Sequence, residues 1–209
     1  MRRDLLRQLR DLAPGRALTY AETLSLAERQ ASLLLELTET SHPAVPERVI
    51  AEQPRIEVRR LSPFPTSGAS HFHAGAWRIA LNATEPTTRQ RFSLAHEYKH
   101  IVDHRDVAVL YRDFSPAARH ILVERICDHF AGCLLMPRPW VEAAVARGLR
   151  HPMQLAPVFH TSPSAMSVRL TNLGLARPTP RCASGAATWP GAPPWPPARR
   201  AHHRELITN

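Results

Sequence analysis

With 209 residues, 44% of them hydrophobic and 22% charged, the chain has room for one domain with a real core plus a small appendage. Its three cysteines, Cys127, Cys133 and Cys182, form no C-x-x-C pair, which argues against a disulfide scaffold and fits a reducing cytoplasm. The net charge of +9 points less to nucleic acid than it first suggests: Lys99 is the sole lysine, and residues 1–60 carry ten Arg against nine Asp plus Glu, so the surplus lies further on and in the tail.

MRRDLLRQLR at the start is charged and amphipathic, with no apolar leader segment behind it, and aliphatic runs such as Leu33 to Leu35 are far too short for a bilayer. The expected setting is therefore cytoplasmic, with no membrane partner. Residues 18–40 read as a helix with apolar positions at Leu24, Ala27, Ala31, Leu34 and Leu35. A short helix at 46–52 leads into IEVRRL, an alternating half-buried strand, and SPFPTSG is a loop by composition. ASHFHAGAWRIALN predicts a hairpin turning at Ala74-Gly75, with Trp77, Ile79 and Leu81 on one face of its second strand. Thr87 or Thr88 is the expected cap of the next helix, RQRFSLAHEYKHIVDH. Further helices are expected from Pro116 to Leu135, stopped by Met136-Pro137, and over PWVEAAVARG. Residues 152–175 form two short helical patterns about a turn, the second capped by Thr161 or Ser162 and buried through Ala165, Val168 or Met166, and Leu170 to Leu173. From Arg177 onward, seven prolines in 33 residues predict a disordered tail.

The chemistry is concentrated in His96-Glu97-Tyr98-Lys99-His100. Histidines four apart on a helix project from one face and can share a tetrahedral metal. Glu97 lies about 100° further round, within reach of a water on that metal without being a ligand. Zinc lowers the pKa of such a water towards ~7, and a carboxylate can take its proton and pass it to the leaving amine. A third ligand must come from elsewhere. His104 is too far along the helix from His96, roughly 12 Å. Glu124, on the following helix, is the better candidate, with Cys127 as its rival. Asp128, one turn beyond Glu124, would share its face and could hydrogen-bond the free nitrogen of a ligand histidine. His104, Tyr111, His120 and His129 are the candidate donors to an oxyanion, and sequence does not choose among them. His71 and His73 read as surface residues.

Taken together, SLAERQA, IALN, RFSLAHEYKH, ERICDHFAGCLLMP and FHTSPSAMSVRLTNLGL resemble the ImmA/IrrE family of metallopeptidases over Leu24 to Leu175. The resemblance implies an α+β fold: a mostly helical, zincin-like domain with a small β-sheet over 1–148 and a helix-turn-helix-like unit over 149–176; the disordered Pro/Arg-rich tail over 177–209 departs from the longer relatives. It implies Zn2+ held by His96, His100 and Glu124, Glu97 as catalytic base, and a partner repressor bearing a helix-turn-helix as substrate, cleaved under stress or during mobile-element induction. AWRIALN would be the edge strand against which substrate pairs. Tyr98-Lys99 replaces the common Leu-Gly, with Lys99 expected to snorkel on the outer face of the helix, and Asp128 stands where Asn is common.

Two other readings compete. In TSPSAMSVRLTNLG only Arg169 is basic, and Pro157 is expected to interrupt the preceding helix, so DNA reading by this unit is not favoured over docking. A noncatalytic metal-binding regulator would act by sequestering its partner or by binding DNA.

Overall fold

The computed structural model of the protein describes residues 4–176; the expected disordered tail, 177–209, lies outside the described residues. Helix α1 (Leu5–Arg10) opens with Asp4 accepting from the Arg7 amide. It is not among the expected elements, because six residues carry too little periodicity to announce a helix. In α2 (Tyr20–Leu37), Thr19 and Glu22 form a reciprocal capping box. Helix α3 (Arg48–Ala51) leads into β1 (Ile56–Leu61), then β2 (Gly68–His73) and β3 (Ala76–Asn82). Ala74 and Gly75 both take positive φ, 49° and 81°, as a two-residue turn between right-twisted strands demands.

The sheet order is β1-β3-β2, with β1 parallel and β2 antiparallel to β3. AWRIALN is therefore the central strand and not the edge. Its Trp77, Ile79 and Leu81 are buried, whereas β2 is mostly exposed and forms one margin of the sheet. The apolar alternation of β3 is equally compatible with an edge and a centre, and it was β1, from before the hairpin, that took the second side.

Helix α4 (Thr87–Asp103) takes both threonines expected as its cap, Thr87 and Thr88, into its first turn: Pro86 holds the cap position and no side chain caps the helix. At the other end, Arg10 donates to the carbonyls of Ile101 (2.7 Å) and Val102 (3.0 Å), which have no partner within the helix. Helix α5 (Val107–Leu110) is followed by α6 (Pro116–Leu135), which ends before Met136-Pro137, and by α7 (Arg138–Ala146). Helices α8 (Pro152–Phe159) and α9 (Pro163–Asn172) are joined through His160, in the left-handed region at φ 51°, and Ser162, which caps α9. Pro157 does not interrupt α8, which continues to Phe159. On α9 it is Met166, and not Val168, that turns inward with Leu170.

The core lies where α4 is held between the sheet on one side and α6 on the other, with α2 closing the far side of α6. Ile79, Leu81, Leu94, Ile101, Ile126 and Phe130 meet there, all essentially inaccessible to solvent. No helix among the described residues is long and apolar enough to cross a membrane.

Candidate metal centre

Because α4 is packed on two sides, its two chemical faces meet different elements. The histidine face turns towards α6. His96 Nε2 and His100 Nε2 are 3.2 Å apart, and the two Glu124 oxygens lie 3.3 Å from one imidazole each. Donors about 2.0–2.1 Å from a tetrahedral ion stand roughly 3.3 Å from one another, so this donor set fits a zinc-sized cation as it stands. On the outer side of the trio, Asp128 Oδ1 lies 2.9 Å from His96 Nδ1. A carboxylate there keeps the proton on Nδ1 and aims the Nε2 lone pair at the centre of the trio.

The electrostatics of the cluster match that geometry. Burial works against a charge on His96, but hydrogen bonds to Asp128 and Glu124 outweigh it and lift the imidazole to about 9. Hydrogen bonds from His100 and His96 hold the Glu124 carboxyl well below the usual carboxylate range. Carboxylates thus surround a position that wants a positive charge, from a proton or a metal. The Cys127 thiol also comes within 4.8 Å of both histidines, but it is buried, and desolvation pushes its pKa well up, so it offers a neutral thiol where Glu124 offers charge.

Glu97, beside the trio on the same cleft, is held from β2. Ser70 Oγ donates to Glu97 Oε2 at 2.7 Å, leaving Oε1 without a donor among the described residues. A methyl at Gly68 would come within 3.1 Å of Glu97 Cγ and 3.3 Å of Oε1, so the glycine makes room for this carboxylate. The cleft beside the trio, about 310 Å³, runs from Ser67, Arg89 and Phe92 past Glu97 to Glu124 and Asp128. Gly68 and Ser70 were not among the expected site residues. Their one signal is the alternation of β2, which says that 68, 70 and 72 share a face but not which helix that face meets.

Lys99 contradicts its expected place. It is fully buried, donating to Gln30 Oε1 and to Asp103 Oδ1, both at 2.6 Å, while the Tyr111 hydroxyl donates to the other Asp103 oxygen. A helix packed on two sides has no outer face here on which a lysine could snorkel. The same network removes Tyr111 from the candidate oxyanion donors. His104 packs edge-on against Trp77, and His129 turns to Cys133 at 3.4 Å on another side of α6. His120 remains: it is exposed, one turn before Glu124, with Nδ1 3.9 Å from Glu124 Oε1. His71 and His73 are exposed on β2.

A second group of donors, Glu28, His129 and Cys133, also draws close. Arg169 already supplies the cation there: it bonds Met136 O at 2.9 Å and Cys133 Sγ at 3.3 Å, and approaches Glu28 to 3.7 Å. The only basic side chain of α9 is therefore buried in the core.

A family model for the IrrE N-terminal-like domain of M78 peptidases matches residues 51–171. The match begins after SLAERQA, which lies in α2 and outside it. A solved Mycobacterium tuberculosis transcriptional regulator shares the fold with a TM-score of 0.54 at 17% identity, over 85% of this chain and 53% of that one. The chain thus spans about half the length of that regulator. No curated protein matches the chain in sequence. With more than half of its length matched by the family, and with the His-Glu-x-x-His helix inside that match, the chain belongs to the ImmA/IrrE (M78) family of metallopeptidases.

Proposed function

We propose that the chain is a zinc-dependent endopeptidase whose substrate is a partner repressor with a helix-turn-helix, cut to relieve repression. The observation that carries this reading is the donor trio at tetrahedral spacing beside a carboxylate that is not part of it. His96, His100 and Glu124 would hold the ion, which when bound supplies Lewis-acid polarisation of a peptide carbonyl and of a water. Asp128 fixes the His96 tautomer. Ser70 holds Glu97 Oε2, so that Oε1 is the free acceptor. Glu97 takes a proton at Oε1 from the attacking water and returns it to the leaving amine nitrogen. His120 is the side chain best placed to donate to the developing oxyanion. The peptide would pair with the open edge of β2, which carries the two residues that touch Glu97.

Residues 149–176, the helix-turn-helix-like unit appended to the peptidase domain of 1–148, serve in this reading as a docking or structural element. The burial of Arg169 supports that over DNA reading, since α9 then offers no basic side chain to a phosphate or a base edge.

The test is co-expression with the helix-turn-helix repressor encoded nearest to this chain. A specific truncated product, lost when the protein is stripped of metal in vitro, supports the proposal. Intact repressor that nonetheless leaves its DNA favours the alternative, a regulator that acts by binding.

Two smaller predictions follow from the site. At pH 7 the metal-free cluster holds a proton on His96, whose imidazole sits at about 9, and a cation must expel it. Zinc binding should release about one proton per ion, read by calorimetry in buffers of different ionisation enthalpy; no release would mean the ion avoids His96. The same proton stabilises the metal-free fold fully below the ordinary 6.5, and that contribution fades as the pH rises through 9. Gly68→Ala pushes against Glu97 and should cost several-fold in cleavage rate, roughly 1 kcal/mol in the barrier, with metal content unchanged. Loss of metal together with activity would place the strain on the histidines instead.

A further inference from the structure

Two positions on one face of β2 are spoken for: Gly68 makes room for Glu97, and Ser70 bonds it. The third is Phe72. The register pairs Gly68 with Leu81, Ser70 with Ile79 and Phe72 with Trp77, so all three point to the side occupied by α4. Yet Phe72 is 57% exposed. Its ring stands edge-on to Trp77 at 5.3 Å, and Trp77 in turn meets His104 at 4.8 Å. The result is an aromatic step about 7 Å along the strand from Ser70, with the Phe72 ring open to solvent.

We propose that Phe72, backed by Trp77 and His104, is a specificity subsite for a large apolar side chain of an extended peptide, two residues from the substrate residue opposite Ser70. The inference rests on the peptidase reading for the identity of its ligand. Its geometry follows from strand pairing. A peptide added to the margin of β2 presents alternate side chains to the same face as 68, 70 and 72. The residue level with Ser70 is at the reacting centre, where Glu97 is held. Its neighbour two positions on, towards the hairpin turn, must lie over Phe72. An apolar group there covers exposed ring area that water otherwise wets, whereas a charged one loses hydration against an aromatic face. Beside Gly68, at the other end of β2, Arg89 faces Glu85 at 3.9 Å and Ser67 bonds the same carboxylate at 2.7 Å, so charge there is balanced locally.

The experiment uses the full chain carrying Glu97→Gln, loaded with zinc, to select binders from a displayed library of random peptides. Enrichment of Phe, Tyr, Leu or Ile at one fixed position is expected, at about tenfold over polar residues. Adding Phe72→Ser should abolish that preference, and adding Phe72→Leu should retain it. Because Phe72 is largely exposed, the thermal midpoint of the Ser variant should stay near that of the parent, which separates a subsite from a core residue. No positional enrichment, or enrichment that survives Phe72→Ser, overturns the proposal. Enriched peptides that the unmodified enzyme binds through Phe72 but leaves uncut would support the subsite while sinking the peptidase reading.

Discussion

Glu97→Gln should lower the rate of repressor cleavage by about 10²–10⁴-fold, the usual contribution of a positioned general base, and leave bound zinc at its original stoichiometry. The substitution is nearly isosteric. A glutamine can still accept from Ser70 Oγ through its carbonyl oxygen, so the carboxamide keeps the place of the carboxylate. What it loses is the capacity to take a proton from water. Glu97 is bonded by Ser70 of β2 and is not one of the three donors, so the ligand set survives the loss of its charge. Quantifying truncated repressor alongside elemental analysis separates the two effects. Full derepression by the variant, with the repressor intact, would replace the peptidase proposal with the sequestering regulator.

Asp103→Ala should destabilise the fold by about 3–5 kcal/mol, because it leaves a buried ammonium without its counter-charge. Lys99 and Asp103 are both inaccessible, and the aspartate accepts from Lys99 through one oxygen and from Tyr111 through the other. Removing it orphans both donors at once, and Gln30 can satisfy only part of the ammonium. The thermal midpoint should fall by roughly 10 °C, at 2–4 °C per kcal/mol for a chain of this size. The paired change Lys99→Met with Asp103→Leu should recover most of the loss, since a buried ion pair contributes little net stability over apolar side chains of similar volume. A fall of under 2 °C for Asp103→Ala would mean that water reaches the lysine.

Much of the site could be read from the residues alone, because helical spacing is local. His96 and His100 share a face by virtue of being four apart, and so do Glu124 and Asp128; bringing the two helices together needed only that α4 and α6 pack. Ser70 and Gly68 were illegible for the opposite reason. Their role depends on a strand lying against a particular turn of a helix, and alternation names a face without naming what it meets. Lys99 was misread because a helix with charged residues was assumed to keep one side in water, whereas α4 has a layer on each side. Arg169 followed the same logic: a lone arginine on a short polar helix looks exposed until Glu28, Cys133 and the Met136 carbonyl converge on it. The misplaced edge strand shows the corresponding limit for sheets, since nothing in AWRIALN tells which of its two sides a distant strand will take.

Residues 51–171, the stretch shared with the family, do not contain their own support. Arg10 closes the C-terminal carbonyls of the His-Glu-x-x-His helix, Gln30 shares the ammonium of Lys99, and Leu26, Ala27 and Leu34 bury a face that α6 would otherwise expose. All of them precede residue 51. The unit that folds is therefore larger than the unit that is recognisably inherited, and an excised 51–171 fragment would keep every candidate metal donor while losing the scaffold that spaces them.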